Sequence, residues 1–151
     1  MKGRILNLQL PRGWYEVESD RTRSFRRHGQ KCGILHLTLL PSLEIELTDG
    51  EQVLAYLKEM VTGLNTPLGF LISSGHAECE EGIMAFALYK HPQQGQHEFW
   101  LIPAEAAVFA EWQMGALATA GLERSEAQEM LRTMRFEDFD SDEEPSNESN
   151  E

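Results

Sequence analysis

Residues 82–102, GIMAFALYKHPQQGQHEFWLI, decide the fold. Gly82 opens the run IMAFALYK, in which Met84, Phe86 and Leu88 alternate with Ala85, Ala87 and Tyr89. Successive strand residues point to opposite sides, so a run that suits a sheet on both faces predicts a strand. His91-Pro92-Gln93-Gln94-Gly95-Gln96 then reads as a hairpin loop, and HEFWLI (97–102) pairs back across it.

Working outward, GILHLTLL (33–40) is the strongest strand of the first half. Leu35, Leu37 and Leu39 face one way, Ile34, His36, Thr38 and Leu40 the other, and Pro41 ends it. Residues 5–10 alternate as a short half-buried strand, Pro11-Arg12-Gly13 turns the chain, and Trp14-Tyr15-Glu16-Val17 resumes as strand. Residues 19–31 are polar and basic around Phe25 and read as a strand edge or hairpin segment. Residues 70–73 predict a short strand. Residues 104–114 carry helix-favouring alanines, but Val108, Ala110, Trp112 and Met114 alternate against Phe109 and Glu111, which predicts strand.

Two helices are expected. Thr48 and Glu51 have capping-box spacing, and Val53, Leu54, Leu57, Met60, Val61 and Leu64 fall on one stripe before the breaker sequence 65–69. Ser125 and Gln128 form a second box. Ala127, Met130, Leu131 and Met134 then make a stripe, with Arg132 and Arg135 in the last turn. Few helices among hairpin-linked strands argue for an α+β domain over 1–136, a mostly antiparallel sheet with helices packed on it. From residue 137 the composition turns to Asp, Glu, Ser, Asn and Pro, which predicts a disordered acidic tail over 137–151.

The chain has 151 residues and a formal net charge of −12, which argues against a nucleic-acid binder. The charge is uneven. Residues 1–31 carry eight basic and three acidic side chains, whereas the tail carries eight acidic ones and no basic one. No apolar run has the length of a secretory signal or a membrane span, so a cytoplasmic location is expected. Cys32 and Cys79 form no CxxC or zinc-like cluster and are expected to be reduced.

No catalytic or cofactor motif stands out. His76-x-x-Cys79 with Glu78 has ligand types that suit zinc, but no second pair lies at matching spacing. His97 and Glu98 are strand neighbours on opposite faces and cannot act together on one substrate. Ser73-Ser74-Gly75-His76 lacks the nucleophile elbow, and Gly63 to Gly69 contains no phosphate-loop pattern. The expectation is no catalytic residue, no metal and no cofactor. Candidate partner contacts are the basic Arg26 and Arg27, the acidic Glu78, Glu80 and Glu81, and the aromatic Trp100. A basic segment equally suits a solvated strand edge, an acidic cluster attracts a basic protein, and strand aromatics mostly fill cores.

The stretch Leu8-x-Leu10-Pro11-x-Gly13-Trp14 resembles the opening strand and LPxGW turn of the PsbP-like α/β sandwich proteins. So does the order that follows: GILHLTL, the helix GEQVLAYLKEMVTGL, the GIMAFALY–HEFWLI hairpin, AVFAEW, and a closing helix ending in MLRTMRF. The resemblance covers roughly residues 5–136. That class includes photosystem II extrinsic subunits, a Ran-binding nuclear transport factor, DcrB-type lipoproteins and the cytoplasmic Eag chaperones of type VI effectors. It implies a sheet with packed helices and action by binding other proteins. The matching positions are core positions, so no functional residue carries over. With no signal peptide or lipobox cysteine, the resemblance points to the cytoplasmic bacterial branch. The expected partner is a secreted effector or toxin, met as an immunity protein or effector-associated chaperone. A structural adaptor acting through 21–31, a small metal-dependent enzyme using His76, Glu78 and Cys79, and a homodimer stay open as alternatives.

Overall fold

The computed structural model describes residues 2–18, 22–29, 32–40, 48–64, 67–104 and 106–140. In chain order the elements are β1 (Lys2–Asn7), β2 (Trp14–Val17), β3 (Arg23–Arg27), β4 (Ile34–Leu40), α1 (Gly50–Thr62), β5 (Phe70–Cys79), β6 (Gly82–His91), β7 (Gly95–Ile102), β8 (Ala107–Gln113), α2 (Leu117–Thr133) and β9 (Arg135–Asp140). Seven strands form one antiparallel sheet in the order β2-β3-β4-β8-β7-β6-β5. The meander from β5 to β8 thus runs back until β8 lies beside β4. β1 and β9 make a separate antiparallel ribbon. The expected α+β class with a mostly antiparallel sheet is what the chain adopts.

The quoted hairpin suits a sheet on both sides because a helix covers each face. Val53, Leu57 and Val61 of α1 pack on Ala85, Ala87, Phe99 and Leu101. On the opposite face, Ala127, Met130 and Leu131 of α2, with Met134 just after it, join Leu35, Met84, Trp100, Ile102 and Trp112. Burying a Leu, Val or Phe side chain gains about 1.5–3 kcal/mol each, so the two clusters hold the layers together. The turn is tighter than the sequence implies. Only residues 92–94 lie between the strands, with the His91 Nδ1 accepting from the N–H groups of Gln93 and Gln94 and Gly95 at φ +82°.

Several boundaries differ from expectation. The first strand is Lys2–Asn7, not 5–10, because its partner is β9. That pairing also corrects the tail: residues 137–140 belong to a strand, and residues 141–151 lie outside the described residues. The cap of α1 is Asp49, whose Oδ1 accepts from the Gln52 N–H, while the Gln52 side chain reaches back to the Thr48 N–H. A side-chain cap is present one residue later than the Thr48–Glu51 reading, and the return bond reaches the residue before the cap. Ser125 and Gln128 cap nothing. α2 begins eight residues earlier, at Leu117, with no side-chain cap, and Arg135 opens β9 rather than closing the helix.

The longer α2 follows from Glu123. This buried carboxylate accepts from the Gly33 N–H at 2.9 Å, the Trp112 Nε1 at 3.2 Å and the Thr119 hydroxyl at 2.9 Å. It fastens the helix to β8 and to the entry of β4. Gly33 sits so close that an added Cβ would lie 2.2 Å from the Gln113 carbonyl oxygen and 2.9 Å from the Glu123 Oε1. Gly33→Ala is therefore expected to cost about 1–3 kcal/mol through overpacking. Urea unfolding followed by tryptophan fluorescence checks this, and a midpoint equal to wild type contradicts it.

Candidate functional site

The feature that stands out on the surface is the outer strand β5. It is ten residues long, pairs with β6 on its inner side, and has no strand on its outer side among the described residues. Its first three residues are apolar and exposed: Phe70 73%, Leu71 45% and Ile72 51%. From Pro67 to Ala77 the sequence carries no Asp, Glu, Lys or Arg. Proteins commonly protect long edges with charge, proline or coverage, and at the apolar end of β5 the described residues show a register shift between Leu71 and Ser73.

Local packing holds β5 in place. Gly69, at φ +83°, lies so close to β6 that a Cβ would sit 2.1 Å from the Lys90 carbonyl oxygen. The Phe86 ring lies over Gly75 and covers backbone that a glycine leaves bare. The His76 ring occupies the space beside Gly50 at the start of α1, and its Nε2 lies 3.3 Å from a Glu51 carboxylate oxygen. At the far end the Glu80 N–H donates to the Arg132 carbonyl. The edge therefore changes character along its length, apolar at Phe70–Ile72 and acidic at Glu78 and Glu80, with the exposed Glu51 beside it.

The six residues singled out from sequence do not form one surface. Glu78 and Glu80 are exposed on or next to β5. Glu81 is half-buried and accepts from the Phe136 N–H, so its role is to hold the chain entering β9. Trp100 is corrected outright. It is 0% exposed and lies in the α2-side core because its strand is covered on both faces. Arg26 and Arg27 lie on β3, five strand steps from β5, or roughly 24 Å at the usual spacing. Arg26 is exposed, whereas the Arg27 Nε lies 3.1 Å from Glu126, which also accepts from the Trp14 indole. Arg23 forms two 2.9 Å bonds to Glu16 and donates to the Leu6 carbonyl, tying the β1–β9 ribbon to the sheet. Much of the basic segment is thus engaged within the fold. Arg21 and Lys31 lie outside the described residues.

Chemistry at the other candidates is limited by geometry. His76 and Glu78 share the α1 side of β5, and Cys79 points to the opposite side, so the three cannot ligate one ion. Among the described residues no three His, Cys, Asp or Glu side chains cluster to hold a metal. Burial pushes the Cys79 thiol up, away from the reactive thiolate. His97 and Glu98 do face opposite sides: His97 Nε2 meets Glu111 at 2.7 Å, and Arg124 Nε donates to the buried Glu98 at 2.7 Å. His36 is satisfied by the Ser24 hydroxyl at 2.7 Å.

The His97 hydrogen bond, outweighing burial, holds the Glu111 carboxyl below its ordinary value. An acid depressed in the folded state contributes stability above its unfolded pKa, about 4.3 for glutamate, and loses it as pH falls through the depressed value. Glu111→Gln is therefore expected to destabilise at pH 7 and to lose less stability than wild type between pH 5 and 3. Urea midpoints across that range test this; parallel pH profiles for the two proteins contradict it.

The edge at 70–72 escaped the sequence reading, which saw a short strand there. The available signal was an apolar triplet inside eleven uncharged residues. Comparison with known proteins bears on the fold. No family model and no curated protein matches the chain. Among solved structures, the chain is similar to the Saccharomyces cerevisiae Ran-binding protein Mog1p, at 11% identity and a TM-score of 0.55, over 89% of this chain and 95% of that one. No helix among the described residues is long and apolar enough to cross a membrane.

Proposed function

We propose that this chain is a cytoplasmic, non-enzymatic protein-binding domain whose partner is a secreted effector or toxin. In this reading it serves as an immunity protein or effector-associated chaperone of a bacterial type VI or contact-dependent system. The observation that carries the binding part is the exposed Phe70-Leu71-Ile72 triplet on an outer strand with no strand beside it among the described residues. Contiguous exposed apolar residues on a strand edge favour protein contact over a solvated surface. The likeness to a Ran-binding protein supports the same reading at the level of fold analogy. The effector assignment rests on the resemblance to the cytoplasmic PsbP-like branch and on the net charge of −12, which attracts a basic partner and speeds encounter.

The adaptor alternative through residues 21–31 is less well supported, because Arg23 and Arg27 are engaged by Glu16 and Glu126. The test uses the full chain as bait against the products of adjacent genes. One of them is expected to co-purify, and 0.5 M salt should slow association at least several-fold. Failure of every neighbour to bind overturns the effector reading.

A further inference from the structure

We propose that the outer edge of β5 takes up an extended segment of the partner as an additional strand. The segment would set apolar side chains against Phe70–Ile72 and Lys or Arg side chains against Glu78, Glu80 and Glu51. This deepens the protein-binding reading and rests on it. In strand addition, main-chain hydrogen bonds supply affinity and alternate side chains supply specificity. β5 offers ten residues of edge, enough for a segment of about nine at 3.3 Å per residue.

A second copy of this chain fits the edge less well. Pairing β5 with itself about a two-fold axis over its full length sets Phe70 against Cys79, Leu71 against Glu78 and Ile72 against Ala77. The apolar triplet then meets small or polar side chains, and no cation meets the carboxylates. Lys90, the base paired with Phe70, points to the α2 side of the sheet, whereas Glu78 points to the α1 side. Sliding the register to join the two triplets leaves only about four residues paired before Gly69 turns the chain. A foreign strand that is apolar at one end and basic at the other satisfies both halves.

The experiment selects binders to the full chain from a library of random nine-residue peptides. Selected sequences should alternate β-branched or aromatic residues with others, carry Lys or Arg towards one end and avoid proline. Amide-exchange protection on binding should concentrate in residues 70–79. Ile72→Lys should weaken binding at least tenfold, Glu78→Lys with Glu80→Lys several-fold, and Leu122→Lys on α2 not at all. Methylating alternate peptide nitrogens should abolish binding in one phase and spare it in the other. Binders that protect another surface, or that tolerate methylation in both phases, overturn strand addition and leave protein binding standing. A free chain already paired through β5 in solution overturns it as well. An absence of both peptide binders and gene-neighbour partners overturns the two proposals together.

Discussion

Glu123→Ala is expected to cost about 3–5 kcal/mol of folding stability, because two buried N–H groups lose their acceptor at about 1–3 kcal/mol each and a helix attachment is lost with them. The groups are the Gly33 amide and the Trp112 indole, which both lie on Glu123 Oε1, while Oε2 holds the Thr119 hydroxyl. A glutamate only 1% exposed is normally a liability. Here three donors from three separate segments offset the cost of desolvation. Glu123→Gln retains one carbonyl oxygen for the inward donors and should cost roughly 1–2 kcal/mol, since hydrogen bonds to a charged acceptor are stronger than to a neutral one. At a urea slope of about 1–3 kcal/mol per molar, the alanine variant shifts the midpoint by more than 1 M. A shift under 0.3 M for Glu123→Ala would show that the carboxylate is not the fastening described.

The second large effect separates two tryptophans that are both fully buried. Trp100→Ala and Trp112→Ala should each cost about 3–5 kcal/mol, as expected for removing an aromatic from a packed core. Their phenylalanine variants should differ. The Trp100 Nε1 has no hydrogen-bond partner among the described residues, so Trp100→Phe removes a buried polar group that gains nothing from them. The Trp112 Nε1 donates to Glu123, so Trp112→Phe should cost about 1.5–3 kcal/mol more than Trp100→Phe. Equal midpoints for the two phenylalanine variants would contradict the assignment. The same experiment addresses Trp100 as a partner contact. A buried residue lowers stability when truncated, whereas a surface contact lowers binding and leaves the unfolding midpoint alone.

The alternation in residues 83–90 and 97–102 was legible because both faces of β6 and β7 are occupied, and period-two chemistry survives when each side packs on a helix. Strand 107–113 was legible for the same reason, despite its alanines. The start of α2 was not. Leu117, Thr119, Gly121 and Leu122 make a poor helical stripe, and what orders them is the attachment of Glu123 to Gly33, 90 positions away, and to Trp112. β9 was hidden in an acidic composition that reads as a tail until β1 is seen beside it. The candidate edge was half legible: Glu78 and Glu80 were recognised, and the apolar triplet at the other end of the strand passed as ordinary strand.

The sequence by itself determined the class of the fold, because local alternation, helical stripes and turn residues are set by near neighbours. It also determined that charge is segregated, basic at the start and acidic towards the end. Only the tertiary structure decided what those features are for. Strand order is a long-range property, and it alone makes β5 an edge and β7 an interior strand. That is why Phe70, Leu71 and Ile72 stand exposed while Trp100, in a strand of similar chemistry, is sealed in the core.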